Sequence, residues 1–243
     1  MVRVTHDDGV CEITLADAAT GNALGEPMVH ALTAAFASVA ADTDTRVVVL
    51  TADGDSFSAG APAALLAQLA AGQRQPSDIR LPRVLLECPV PVIAAMAGHA
   101  VGGGFALGLA ADLVCLGRES RYGFTFMNMG FTPGMGTTAL CEHVLAAALA
   151  HELLYSGELR RGDAFSGTGI NHVVPRAEVL DRARDLARRI AEKPRPALEV
   201  LKRTLTLPRR RAFDQALTLE SLMHQITLGA PGAIDTIRAT YVE

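Results

Sequence analysis

The stretch Pro89-Val90-Pro91-Val92-Ile93-Ala94-Ala95-Met96-Ala97-Gly98-His99-Ala100-Val101-Gly102-Gly103-Gly104 decides the fold of this chain. Its near-continuous apolar run over 90–96 predicts a strand buried on both faces. Gly98 to Gly104 predicts a turn, and the small residues of 104–111 predict a helix behind it. Leu113-Val114-Cys115-Leu116 then predicts the next buried strand.

Outward from this core the same alternation repeats. Residues 2–5 and 9–15 predict a β-hairpin turning at Asp7-Asp8-Gly9, followed by a helix over 27–41 and a buried strand over 46–51. Pro62 fits the first position of a helix running to Gly72, 73–80 is expected to be a mobile loop, and a helix near 81–87 ends before Pro89. Strands alternating with helices imply an α/β core with parallel pairing. Beyond residue 137 the pattern turns helical, with periodic segments at 176–194, 196–206 and 212–227. The expected organisation is an α/β core over 1–190 and a helical region over 191–243, which can belong to one domain.

Composition bounds the function. The 243 residues carry a formal net charge of −4, which argues against a nucleic-acid binder. Lysine occurs only as Lys193 and Lys202. Cys11, Cys88, Cys115 and Cys141 show neither CxxC spacing nor a metal-ligand cluster, so reduced thiols and a cytoplasmic location are expected. The first residues hold no signal-peptide apolar core, and no apolar run reaches the roughly 18 residues that span a bilayer.

Two glycine-bearing stretches stand about forty residues apart, Phe57-Ser58-Ala59-Gly60-Ala61 and Gly102-Gly103-Gly104. Each lies where a buried run gives way to a helix, so each can aim backbone N–H groups at one point. Ala61 precedes the proline at the helix start, and the glycine triplet lets a ligand approach the main chain closely. Two such donors form an oxyanion hole, which stabilises negative charge developing on a carbonyl oxygen. Either stretch alone reads better as a simple chain reversal, since lone glycine-rich turns are weak motifs.

Together with Ala111-Asp112 and Gly130-Phe131-Thr132-Pro133-Gly134-Met135-Gly136, these stretches resemble the enoyl-CoA hydratase/isomerase (crotonase) superfamily over essentially the whole chain. The resemblance implies a core of repeated ββα units, assembly as trimers or paired trimers, and binding of acyl thioesters. It implies that Ala61 and Gly103 supply the oxyanion donors, flanked by Gly60 and Gly102. The departures from the pattern bear on the reaction. The two positions that hold catalytic glutamates in family hydratases are Ala106 and Phe126 here. Water addition needs a base and an acid, and neither residue serves.

Within the superfamily the chain resembles the decarboxylases of polyketide β-branching, which convert 3-methylglutaconyl-acyl carrier protein to 3-methylcrotonyl-acyl carrier protein. Phe126-Met127-Asn128-Met129-Gly130-Phe131-Thr132-Pro133-Gly134-Met135-Gly136, Arg118-Glu119-Ser120-Arg121-Tyr122 and Glu220-Ser221-Leu222-Met223-His224 carry that likeness. It implies a carrier-protein partner, no metal, and no cofactor beyond the phosphopantetheine arm that arrives with the substrate. Loss of CO₂ leaves a dienolate with its charge on the thioester oxygen, and one proton donor must quench it.

His224 is the candidate donor, sharing a helix face with Leu217 and Phe213. The alternatives are a satisfied core histidine or a partner of Glu220 at i, i+4 spacing. A lysine after the first donor segment binds the leaving carboxylate in the resembled enzymes; this chain has none there, so Arg74, Arg80 and Arg83 are the substitutes. Phe126, His99 and Tyr122 are candidate pocket residues, the last two equally readable as packing. Arg209-Arg210-Arg211 can meet an acidic carrier protein or a phosphate, or form a solvated face. Two further functions compete: an isomerase or hydrolase of the same family, and a silent scaffold that binds acyl thioesters without reaction.

Overall fold

The computed structural model describes residues 1–74, 81–230, 232, 235–237 and 239. A six-stranded sheet runs β1(Val2–Asp7)-β2(Val10–Leu15)-β3(Val47–Ala52)-β5(Val92–Met96)-β7(Leu113–Gly117)-β10(His172–Val174). Only β1 and β2 pair antiparallel in it, and Asp8 and Gly9 turn between them with φ of 41° and 79°. Positive φ at both central residues is what a tight hairpin of this twist requires. A second sheet of four short strands runs β4(Ser56–Ser58)-β6(His99–Val101)-β8(Arg121–Gly123)-β9(Leu159–Arg161).

Each of β3, β5 and β7 thus feeds a short strand of the second sheet within a few residues. Helices α2(Ala63–Ala70) and α4(Gly103–Leu109) follow the first two of these pairs, which is the repeated ββα plan. The turn expected over 98–104 therefore contains a strand. Three residues carry too little alternation to signal one, and the parallel partners at 56–58 and 121–123 create it.

The central strands β3, β5 and β7 are buried on both faces. Val48, Leu50 and Ala94 join the main core with α1(Glu26–Ala41), whereas Val47, Val49, Ile93, Ala95 and Cys115 pack beneath Val179, Ala183, Ala187 and Ala191 of α7(Val179–Ala191). Small alanines on α7 let it lie close to the sheet, while its other face carries arginines. No helix of the described residues is long and apolar enough to cross a membrane.

The C-terminal helices expected at 196–206 and 212–227 are one helix, α8(Arg195–Thr227), with Pro208 inside it. An interior proline removes one main-chain hydrogen bond and usually bends or ends a helix. Here charged bonds pin the helix on both sides of it. Lys202 Nζ donates to Asp112 Oδ2 at 2.7 Å and to the Leu85 carbonyl at 2.9 Å, and Arg209 reaches Asp112 Oδ1 at 3.2 Å and the Ala111 carbonyl at 2.8 Å. Asp112 also accepts the Val92 N–H at 2.8 Å, so the network ties α8 to β5. Arg209 is consequently spent inside the fold and offers no charge to a partner. Phe213, Leu217 and Leu228 of the C-terminal region lie in the same apolar cluster as the sheet.

Removing one partner of a buried ion network leaves charges without compensation, at a cost of about 3–5 kcal/mol. Asp112→Ala is therefore expected to lower stability by about 3–5 kcal/mol in urea denaturation.

Candidate functional site

Parallel pairing of β4 with β6, in register Ser56↔His99 and Ser58↔Ala100, brings the two glycine-bearing stretches side by side. The contact continues beyond the strands. A Cβ added to Gly60 would lie 3.4 Å from Gly103 N, and one added to Gly104 would collide with the Ser58 carbonyl and lie 2.7 Å from the Ser58 Cβ. Gly102, at φ 54° and ψ −119°, adopts a conformation closed to other residues, and its N–H bonds the Gly123 carbonyl at 2.9 Å. It turns the chain so that Gly103 opens α4, where an amide has no acceptor within its own helix. Pro62 stands one position earlier than expected. It caps α2 with extended φ and ψ of −68° and 151°, and its carbonyl accepts the Leu65 and Leu66 N–H groups.

Asn22 braces the first stretch and was not singled out by the sequence. Its Nδ2 donates to the Asp53 and Ser56 carbonyls at 2.9 and 2.8 Å, and its own carbonyl accepts the Ser58 hydroxyl at 2.8 Å. The Leu24 N–H holds the Gly60 carbonyl at 2.8 Å. A buried asparagine after a glycine turn was the available signal in Gly21-Asn22.

The surroundings are apolar. Ala106 is fully buried on α4, and the edge of the Phe126 ring would lie 3.6 Å from a Cβ on Gly102. Phe126 stacks on Phe124 and meets Phe131 edge-on, and Phe131 in turn lies edge-on to His224 with centroids 6.1 Å apart. Met135, also missed, faces Gly103: a Cβ there would come within 2.7 Å of its Sδ.

His224 is buried on α8 beside Phe213 and Leu217, as its spacing predicts. It is not paired with Glu220. Its Nε2 donates to the Thr132 carbonyl at 2.7 Å, which fixes the proton on that nitrogen. Nδ1 is buried and finds no partner among the described residues. Burial pushes the imidazole pKa below 6.5, opposed in part by the Thr132 bond. Gly134 makes room for the ring, since a Cβ there would lie 2.6 Å from His224 Cε1. The histidine therefore backs the segment whose Met135 faces Gly103.

Other expected pocket residues lie elsewhere. Tyr122 is fully buried among Phe105 and Phe165, its hydroxyl donating to the Met96 carbonyl at 2.7 Å and accepting the Gly117 N–H at 2.9 Å. Burial pushes its pKa up to about 12, and the residue holds two strands together rather than facing a ligand. His99 uses Nδ1 to accept the Arg121 N–H at 2.9 Å, bridging β6 and β8. Arg74 pairs with Glu26 at 2.6 Å, and Arg83 pairs with Glu87 and Asp214 while lying over the Phe213 ring. Arg80 lies outside the described residues. No three His, Cys, Asp or Glu side chains of the described residues group as metal ligands.

The chain belongs to the enoyl-CoA hydratase/isomerase family, whose model matches residues 5–231. Among its relatives is the bacillaene synthase decarboxylase PksI of Bacillus subtilis (strain 168), 38% identical over 193 residues that make up 79% of this chain and 78% of that protein. The ECH2 decarboxylase domain of CurF from Lyngbya majuscula superposes with a TM-score of 0.93 at 35% identity, covering 99% of each chain. A structure from a dehydratase/decarboxylase enzyme couple of polyketide β-branching superposes with a TM-score of 0.95, also at 35% identity, over 100% of this chain and 99% of that one.

Two measurements test this geometry. Gly104→Ala is expected to abolish activity and lower the melting temperature, because the new methyl group meets the Ser58 main chain. His224 should titrate below 6.5 when its Cε1 proton is followed by NMR. Its folded pKa is depressed, so the unfolded chain takes the proton first. The stability it contributes is full above about pH 6.5 and is lost as pH falls from there through the folded pKa.

Proposed function

We propose that this chain is a decarboxylase of polyketide β-branching, acting on 3-methylglutaconyl thioester presented by an acyl carrier protein and releasing the 3-methylcrotonyl thioester. The carrying observation is the pairing of two amide-bearing glycine stretches in a setting where Ala106 and Phe126 replace the carboxylates that water addition requires. The decarboxylase relatives named above support the same reaction.

In this reading the substrate carboxylate loses CO₂ as its C–C bond breaks. The electron pair runs through the conjugated system to the thioester oxygen, where the Ala61 and Gly103 N–H groups and the N-terminal end of α4 stabilise the charge. A proton on His224 Nδ1 then quenches the dienolate at carbon while Nε2 stays bonded to Thr132. The free imidazole is neutral at pH 7, and the substrate's negative charge raises its pKa in the complex. Arg74 and Arg80, which follow α2 in the chain, are the cations that hold the carboxylate beforehand. The Arg74–Glu26 pair is partly exposed, and exposed pairs are worth about 0.2–1 kcal/mol, so a substrate carboxylate can displace Glu26. Arg83 is committed to packing α3(Pro82–Glu87) against α8.

Assembly as trimers or paired trimers belongs to the same proposal. Leu201, Leu205, Leu219, Leu222 and Ile226 are exposed apolar side chains on α8 beside its buried face, as an interface between copies would present. The carrier protein delivers the thioester on its phosphopantetheine arm, and the reaction draws on no further cofactor.

The test is incubation with 3-methylglutaconyl-carrier protein, following loss of CO₂ by mass. Turnover is expected, with kcat falling as pH rises through the His224 pKa of the complex, and His224→Ala should lose about 10²–10⁴-fold. Binding without turnover would make the chain a silent scaffold, and efficient isomerisation or hydrolysis of free acyl-CoA would place it with those family enzymes. Arg74→Ala or Arg80→Ala should raise KM.

A further inference from the structure

Glu220 is a buried carboxylate, 2% exposed, that the reaction above does not use. Its oxygens collect three donors from one short segment: the Gly136 N–H at 2.7 Å, the Thr138 N–H at 2.9 Å and the Thr138 hydroxyl at 2.8 Å. Gly136 caps α5(Thr137–Val144), so the carboxylate sits at a helix start, where amides lack helical acceptors and negative charge is favoured.

Met135 immediately precedes these bonds and stands at φ 63°. The other described non-glycine residues with positive φ are Asp8 and Asn22, types whose side chains tolerate that conformation. A methionine has no such compensation, so its neighbours must impose the turn. What the turn achieves is visible at its side chain, which packs on Gly103. One helical turn along α8, His224 holds the Thr132 carbonyl. Two side chains four residues apart therefore grip both ends of 132–138, with Met135 between them.

We propose that Glu220 is a positioning residue for the reaction: its bonds to Gly136 and Thr138 hold Met135 in the left-handed conformation that lays the thioether over Gly103. Met135 then bounds the space beside the second oxyanion amide and keeps the thioester oxygen in line with it. The inference rests on the decarboxylase reading of that site. A carboxamide cannot replace the carboxylate, because its NH₂ would face a main-chain N–H.

The experiment compares Glu220→Gln, Met135→Gly and the double variant in the full chain. Glu220→Gln is expected to lower kcat about 10–100-fold with KM changed by less than about twofold, as a reacting group displaced by a fraction of an ångström would. Met135→Gly should show a comparable kcat loss, and the double variant should be no worse than the poorer single one, because both act by one route. Losses that multiply, or a kcat that merely tracks the folded fraction, overturn the proposal. Glycine adopts φ 63° freely, so Met135→Gly tests the route even where Glu220→Gln does not fold, and full activity in it is fatal to the idea. A readout independent of turnover uses ¹³C-methyl methionine NMR. The Met135 methyl should shift in Glu220→Gln while those of Met28 and Met96 stay put. An unmoved Met135 methyl overturns the proposal. Absence of decarboxylation by the wild type, with the methyl shifted, removes the function reading and leaves the clamp standing.

Discussion

The close approach of Ser58 to Gly104 is the constraint on which the rest of the structure depends. Two short parallel strands from different ββα units can deliver their following residues to one point only if their main chains come within van der Waals contact beyond the strand ends. That distance admits no side chain at 104. Asn22 holds the opposite side of the first stretch through Ser58, Ser56 and Asp53, so the approach is fixed from both directions. Everything chemical in the site follows from two main-chain segments being where no side chain can follow.

On such a scaffold the difference between adding water and losing CO₂ comes down to what lines the approach. Two carboxylates would recruit and activate solvent; Ala106 and the Phe124–Phe126–Phe131 row exclude it. An apolar wall would also strengthen the interaction of main-chain amides with a developing oxyanion, since little solvent would compete for the charge. The histidine at the end of the aromatic row belongs to the same design: it is buried, neutral at rest and fixed in one tautomer by a carbonyl.

Much of the fold was legible because its central strands are apolar throughout and prolines and glycines punctuate the chain between them. The hairpin at Asp8-Gly9 and the strands at 47–52, 92–96 and 113–117 follow directly from those signals. The second sheet was not legible, since three-residue strands exist only through their partners. The unbroken α8 was not legible either: Pro208 argues locally for a stop, and the bonds that override it come from Asp112, ninety residues away in sequence. The glycine stretches, the apolar replacements and His224's inward face could be read from spacing and resemblance. Met135 and Glu220 could not, because their roles lie in hydrogen bonds and a backbone angle that no local pattern encodes, and Asn22 was marked only by its place after Gly21. Tyr122 and His99 misled for the opposite reason, as polar side chains near the site whose polar atoms serve the main chain.

The continuity of α8 has a mechanical consequence. Lys202, anchored to Asp112, and His224 are 22 residues apart, about 33 Å at 1.5 Å per residue. The same helix therefore carries the anchor at one end and the imidazole at the other. If His224 delivers the proton as proposed, tilting anywhere along the helix would displace the donor, and that step would be tuned from a point remote from the chemistry.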